Sequence, residues 1–321
     1  MKAIVYEKYG SPDVLKIKDV AKLVPSDDQL LIRVHAVSIN GSDKEGLVGK
    51  PGYVRFSGLF KPSQPILGSD IAGTVESVGA NNTEFKIGDE VFGEIPGYHG
   101  GFAEYAVTHG RTLMLKPKEM TFEEASAIPQ AGVIALKGIR DKGQVQPGQK
   151  VLINGAGGSA GAFAVQIAKL YGAEVTSVDN THKQDFLRTL GADHVIDYTN
   201  EDFTKTGKQY DLILDVIAHR SPFAYARALK PNGTYFAVGG SLARMLQILI
   251  MGSWIKRTRN RNVRILAVPQ HRDGLIAITE LIQAGKVRPV IDKTYTFDEI
   301  PEAMCYVSEG RAKGKVVITV K

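Results

Sequence analysis

The run Val151-Leu152-Ile153-Asn154-Gly155-Ala156-Gly157-Gly158-Ser159-Ala160-Gly161 carries the strongest chemical signal in the sequence. An apolar segment of strand type enters a cluster of residues with little or no side chain, and a segment of helical spacing leaves it. Small residues let a phosphate come against the main chain. The start of a helix adds unbonded N–H groups at the positive end of its dipole. Glycines in a strand–turn–helix setting are the fingerprint of a dinucleotide pyrophosphate site; the same letters elsewhere carry little weight. Two registers fit: Gly155-x-Gly157-x-x-Ala160 and Ala156-x-Gly158-x-x-Gly161. The second makes Ala156, Gly158, Ser159, Ala160 and Gly161 the cradle. A tight turn that binds nothing is the structural alternative.

A second chemical position follows from the first. In such folds the end of the next strand meets the adenosine ribose about 20 residues beyond the last glycine. Asp179 lies 18 residues beyond Gly161. Its carboxylate can accept from both ribose hydroxyls and repels a 2′-phosphate, which favours NADH slightly over NADPH. Asn180, Thr181, His182 and Lys183 follow at once, and such groups could hold a 2′-phosphate instead. A solvated turn with an Asp cap is the alternative there.

The elements that must place these residues are legible from pattern. Lys150–Asn154, Glu174–Val178, His194–Tyr198, Asp211–Val216, Thr234–Val238 and Arg264–Val268 read as strands. Ser159–Leu170, His182–Leu190 and Pro222–Leu229 read as helices between them. This alternation predicts βαβ units and a parallel sheet. Before it, the first ~115 residues hold short Val, Ile and Leu runs broken by turn residues, the pattern of a β-rich barrel or sandwich. Thr121-Phe122-Glu123-Glu124 offers a helix cap before an expected helix over Ala125–Ile139. A helix over Asp273–Ala284, a short one over Asp298–Ser308 and a strand over Lys315–Val320 close the chain. That last strand is expected to return to the first module.

Bulk properties bound the rest. At roughly 150 residues per domain, 321 residues imply about two domains. One cysteine, Cys305, excludes an intrachain disulfide and a cysteine-based structural zinc. A net charge of +6 suits anionic ligands without requiring nucleic acid. The start Met1–Tyr6 reads as a strand, with neither a signal core nor a transit segment, so a cytoplasmic protein is expected. The apolar stretch Leu242 to Ile255 is too short and too interrupted to span a bilayer.

The blocks Asn40-Gly41-Ser42-Asp43, Leu67-Gly68-Ser69-Asp70-Ile71-Ala72-Gly73, Lys86 to Gly93, Gly101-Phe102-Ala103-Glu104-Tyr105, Leu190 to Tyr198 and Gly310 to Val317, with the glycine turn, carry a resemblance over essentially the whole chain. The sequence resembles the zinc-independent, quinone oxidoreductase-like branch of the medium-chain dehydrogenase/reductase superfamily. That resemblance implies an α/β protein: a GroES-like β-rich domain over 1–122 and 270–321, and a Rossmann doubly wound parallel-sheet domain over 123–269. It implies NAD(P)H as cofactor, no metal, and a small quinone or α,β-unsaturated carbonyl as substrate. Zinc alcohol dehydrogenases of the superfamily place Cys where Asn40 stands and Gly-His-Glu where Gly68-Ser69-Asp70 stands.

Without a Lewis acid, hydrogen-bond donors must polarise the substrate oxygen, which then takes a proton. Asn40 is the first candidate donor, or else a turn-stabilising Asn. Tyr53 is a second, or else a packed Tyr. Phe56, Leu59 and Phe60 line an apolar pocket or a satellite core. By resemblance, Gly239, Gly240, Ser241 and Val268 approach the nicotinamide, Tyr198 flanks the adenosine, and Lys315 contacts the cofactor or is a surface lysine. Asp179, Asn180 and Lys183 complete the cofactor set. Relatives carry Gly-Leu-Thr-Ala where this chain has Gly132-Val133-Ile134-Ala135, so Ile134 cannot make the hydrogen bond of that threonine. Relatives also pair through the edge of the Rossmann sheet, which implies a homodimer through Arg264–Val268. The basic stretch Lys256 to Arg264 reads as a solvated loop rather than a membrane or nucleic-acid contact, having little aromatic interleaving. The competing function is a non-catalytic dinucleotide sensor or a nucleic-acid binder on the same fold.

Overall fold

The computed structural model describes residues 1–56 and 58–320. The chain forms two compact units: Met1–Gln130 with Gln270–Glu280 and Pro289–Lys321, and Ala131–Pro269 with Leu281–Arg288. The division drawn from sequence differs in two segments: 123–130 goes with the first unit, and 281–288 with the second. Within the second unit the Gln166 side chain brackets the main chain of Arg288. Its Nε2 donates to the Arg288 carbonyl (3.1 Å), and its Oε1 accepts from the Arg288 N–H (3.0 Å).

The first unit begins with β1 (Lys2–Val5) paired antiparallel to β2 (Lys16–Asp19). β3 (Gln29–Ile39) runs into α1 (Gly41–Val48). β4 (Asp70–Val78) pairs antiparallel with β3, and β5 (Glu90–Glu94) with β4. β6 (Tyr105–His109) adds to the Gln29–Arg33 half of β3, and β7 (Leu113–Leu115) to β5. Alternating side chains from these strands, among them Ile32, Val34, Ile71 and Val91, fill one core with Phe102 from the connection before β6. α2 (Phe122–Ser126) starts at Thr121 with the expected reciprocal cap to Glu124. It stops early. Pro129 supplies no N–H and disfavours helix at Ile128, so a separate α3 (Pro129–Leu136) replaces the continuous helix expected over Ala125–Ile139.

The second unit has β8 (Lys150–Asn154), α4 (Ser159–Leu170), β9 (Glu174–Asp179), α5 (Gln184–Thr189), β10 (His194–Asp197), β11 (Tyr210–Asp215), α6 (Pro222–Arg227), β12 (Leu229–Ala237), α7 (Leu242–Arg259) and β13 (Asn262–Ile265). All six strands run parallel in the order β10-β9-β8-β11-β12-β13. This is the doubly wound order with its switch point beside β8. Val151, Leu152 and Ile153 are buried outright, which is why β8 reads as a continuous apolar run.

One expectation is overturned here. Lys256 to Arg264 is not a solvated loop. Lys256–Arg259 is the last turn of α7, Asn260 closes it in the left-handed conformation, and Asn262 to Arg264 lies in the edge strand. The basic residues favour the helix because cations suit its C-terminal end. The edge strand itself begins two residues before the expected Arg264.

α8 (Arg272–Gln283) follows, then β14 (Ile291–Thr296), α9 (Ile300–Ser308) and β15 (Lys315–Thr319). β15 returns to the first unit as expected. It pairs antiparallel with β3, Val316 facing Ile39, and parallel with β14.

The junction of α4 with β8 has no room for a side chain at Gly161. A Cβ there would lie 2.3 Å from the Gly155 carbonyl oxygen and 2.5 Å from the Ala156 Cα. The obstruction is main chain and cannot swing aside. Gly161→Ala is expected to lower stability by about 1–3 kcal/mol, read as a lower urea midpoint at unchanged slope.

Candidate active site

The glycine turn settles the register left open by sequence. Gly161 is the position of close helix–strand packing, and Gly158 is the N-cap of α4 with no side chain to cap it. That is the Ala156-x-Gly158-x-x-Gly161 register. Gly155 bends the chain at φ +80°, where a side chain would be strained. Gly158, Ser159 and Ala160 are half-buried and Gly161 is buried at the start of a twelve-residue helix. Ala156 holds a structural place in the turn. Its side chain is wholly buried and its N–H donates to the Val178 carbonyl at 3.2 Å, so it serves the turn.

The other expected cofactor residues of this unit all follow the C-terminal ends of the parallel strands. Asp179 ends β9, and Asn180 and Lys183 come next. Tyr198 follows β10, half exposed, with its N–H on the Asp179 carbonyl (3.2 Å). Gly239, Gly240 and Ser241 join β12 to α7, where the Ser241 hydroxyl caps the helix by accepting from Arg244 N–H (3.2 Å). Val268, half-buried, lies beyond β13. Ligands of open α/β sheets bind along this edge.

Asp179 is already engaged. Its Oδ2 accepts from the Gly157 N–H at 2.8 Å and its Oδ1 from the Asn180 N–H at 2.9 Å. The Lys183 ammonium stands 3.7 Å from Oδ1, both side chains being buried. Sequence reading missed Asp215, buried at the end of β11. It accepts from Asn154 Nδ2, the Ile217 and Ala218 N–H groups and the Tyr235 hydroxyl, at 2.8–3.0 Å. An aspartate ending the otherwise apolar Leu212-Ile213-Leu214 was its signal.

In the first unit the polar residues converge at the ends of β3, β4 and β5. Asn40 is 2 % exposed and starts α1. Its N–H donates to Asp43 Oδ2 (2.7 Å), and Asp43 Oδ1 accepts from the Gly68 N–H (2.8 Å). Burial nevertheless pushes the Asp43 carboxyl up to about 7. Lys315, expected as a cofactor contact or a surface lysine, is not on the surface. It is fully buried, and its ammonium donates to Asn40 Oδ1 (2.8 Å) and Asp70 Oδ2 (3.3 Å). Burial pulls Lys315 down against the attraction of Asp70, and raises Asp70 despite Lys315. With its oxygen so held, the Asn40 amide presents Nδ2 as its donor, and the bond to Ser69 Oγ is long at 3.4 Å. Glu94, opposite Asp70 on β5, accepts from Gln130 Nε2 (3.0 Å). Burial, then repulsion from Asp70, lifts it to about 7.

Tyr53 sits half-buried in a single helical turn, Gly52–Arg55, with its phenol raised by burial. Phe56, Leu59 and Phe60 are exposed and form no satellite core. Tyr98 was missed. It holds φ +67°, uncommon for a bulky residue, between Gly97 and Gly100. It is 38 % exposed, and its phenol is pushed up to about 12 by burial and then by Glu94 and Asp70. Outliers of this kind cluster at functional sites; the glycine-flanked Tyr-His pair was the only trace in the sequence.

Comparison with known proteins agrees with this arrangement. The family pattern of the alcohol dehydrogenase GroES-like domain matches residues 26–118, and that of the zinc-binding dehydrogenases matches 190–318. The chain is 32 % identical to a 2-methylene-furan-3-one reductase of Solanum lycopersicum, over 99 % of this chain and 79 % of the relative. It is 32 % identical, with the same coverage, to an NADPH-dependent alkenal/one oxidoreductase, chloroplastic, of Arabidopsis thaliana. The chain belongs to the medium-chain dehydrogenase/reductase superfamily.

Within that superfamily it falls in the quinone oxidoreductase-like branch and is an oxidoreductase with a nicotinamide cofactor. The structure of the quinone oxidoreductase from Coxiella burnetii superposes with a TM-score of 0.89 at 27 % identity, covering 100 % of this chain and 99 % of that one. The matched zinc-binding dehydrogenase segment contains neither Asn40 nor Ser69. An amide and a hydroxyl are poor zinc ligands, and the Asn40 oxygen is taken by Lys315. The donor set of this superfamily member therefore does not fit a catalytic zinc.

The buried acids set a pH dependence. In the unfolded chain Glu94 releases its proton near its ordinary value of 4.5, but folded it holds on until about 7. Between those values the unfolded state binds fewer protons, so stability falls as pH rises. Asp43 acts with the same sign. Urea denaturation of Glu94→Gln is expected to show a shallower loss of stability between about pH 4.5 and pH 7 than the unaltered protein. Parallel curves would remove Glu94 from this account.

Proposed function

We propose that this protein reduces quinones or α,β-unsaturated carbonyl compounds with a reduced nicotinamide nucleotide. The observation that carries the reading is the glycine N-cap of α4, Gly158, in a glycine turn at the C-terminal edge of a six-stranded parallel sheet. Two relatives named for enone chemistry and a structural neighbour named a quinone oxidoreductase support the substrate class.

The bound nucleotide supplies the hydride to an electron-poor carbon. The α4 N–H groups hold its pyrophosphate and fix its place. Tyr98 and Tyr53, whose phenols stay protonated, donate to the substrate oxygen and supply its proton. Asn40, oriented by Lys315, offers a further donor through Nδ2. Phe56, Leu59 and Phe60 give apolar surface to a flat substrate.

The tilt toward NADH rested on a carboxylate at Asp179. Because the Lys183 ammonium offsets that charge, repulsion of a 2′-phosphate is reduced, and Lys183 supplies a cation at the same strand end. Both nucleotides are accepted in this reading. Lys183→Ala is expected to raise the KM for NADPH about tenfold relative to that for NADH, the loss of one charge-assisted hydrogen bond. Equal change for the two nucleotides would remove Lys183 from discrimination.

The decisive assay follows absorbance of NADH and NADPH with benzoquinone, phenanthrenequinone and a short alkenal. Turnover with at least one is expected. Measurable nucleotide binding with no turnover would make the protein a sensor and not an enzyme. Tyr98→Phe is expected to lower kcat about a hundredfold while leaving the KM for nucleotide unchanged. Unchanged kcat would return Tyr98 to a structural role.

A further inference from the structure

α7 is apolar on two sides. Its inner face packs Ile248 and Ile255 into the core of the second unit. Its outer face follows the helical period through Leu242, Leu246, Leu249, Ile250 and Trp254. Leu249 is 63 % exposed, Ile250 74 % and Trp254 52 %. Scattered exposed leucines need no explanation, but a continuous stripe over three turns does.

The charge around that stripe is one-sided. Residues 216–272 contain ten of the chain's 40 Lys and Arg and none of its 34 Asp and Glu. The span therefore carries +10 and the rest of the chain −4. Lys256, Arg257 and Arg259 end the helix, and Arg261 and Arg264 follow it. Among the described residues none of these five has an ion-pair partner; Lys256 bonds Asn260, Arg259 lies over the Phe223 ring, Arg261 bonds the Leu229 carbonyl, and Arg264 bonds Asn262.

We propose that the outer face of α7 docks on a bilayer surface carrying anionic phospholipid headgroups. Leucine and isoleucine enter the acyl boundary, Trp254 takes the interface, and the basic end of the helix meets the phosphates. No helix among the described residues is long and apolar enough to cross a membrane, so the contact is interfacial. Charge complementarity selects this occupant. A second copy seated on the α7 stripe, as distinct from one paired main chain to main chain through Arg264–Val268, would bring two acid-free spans together with no ladder of backbone hydrogen bonds to offset the repulsion. Nucleic acid would match the charge but not the aliphatic stripe.

Trp254 is the chain's one tryptophan, so its emission reports the contact directly. The full chain is mixed with vesicles of phosphatidylcholine, alone or with roughly a third phosphatidylglycerol, and floated on a density gradient. Flotation and a blue shift are expected with the anionic vesicles only, weakening as salt shortens the Debye length. Leu249→Glu with Ile250→Glu is expected to abolish both. Lys256→Glu with Arg257→Glu and Arg259→Glu is expected to weaken binding at least tenfold. Unchanged nucleotide binding and far-ultraviolet circular dichroism establish that the variants fold. Absence of flotation and of any blue shift with the unaltered protein overturns the proposal. So does a lipid-free dimer that the Leu249→Glu, Ile250→Glu pair converts to monomer in sedimentation, because the face would then belong to a second copy.

Discussion

One buried ammonium balances the interior of the first unit. Asp43 in α1 and Asp70 on β4 are fully buried carboxyl groups, Glu94 stands half-buried opposite Asp70 on β5, and Lys315 is the buried cation beside them. A buried charge costs several kcal/mol unless it is paired. The register of β15 on β3 decides that it is paired, since Val316 faces Ile39 and Lys315 is thereby carried to Asn40. The last strand of the chain thus completes a cluster begun by the first hundred residues. The superfamily offers a contrast: where zinc alcohol dehydrogenases hold ligands for a metal cation, this chain has Asn40 and Ser69 and brings in a cation of its own.

The second unit answers to a constraint of space instead of charge. α4 packs so closely on β8 that only main chain separates Gly161 from Gly155. Asp215 then ties the neighbouring strand end to Asn154. The cradle is consequently a property of backbone placement, which explains why so few of its members carry functional side chains. Ala156 holds the turn to β9 through Val178.

The difference between the two constraints explains what could be read from sequence. Backbone sites leave local signatures: glycines at fixed offsets, an apolar run before them, a helix after them. β8 and α4 were legible to the residue for that reason. Charge clusters are assembled from distant strands, and no spacing within one segment announces them. Lys315 was placed by resemblance alone, and its bonds to Asn40 and Asp70, 275 and 245 residues away, left no local trace. Tyr98 was hidden because a left-handed tyrosine is set by its tertiary surroundings. β6, β7 and β14 went unread because each is short or only partly buried and its alternation is weak. α7 was hidden by the opposite fault. A helix apolar on both faces has no amphipathic period, and its Arg-rich end resembles a loop.

That ambiguity has a physical root in what the segment is asked to do. An ordinary surface helix keeps one polar face, and its period follows from that. α7 keeps no continuous polar face and gathers three of its four charges, Lys256, Arg257 and Arg259, in its last turn, so its pattern is apolar on two sides. It also begins directly after the turn that follows the C-terminal end of β12. Ser241, which closes the turn after β12, is the same residue whose hydroxyl caps the first turn of α7. Gly240 beside it holds φ +139°, a conformation few other residues adopt. Any ordering imposed on Gly239 to Ser241 from one side is therefore imposed on the start of the helix from the other, because one cap serves both.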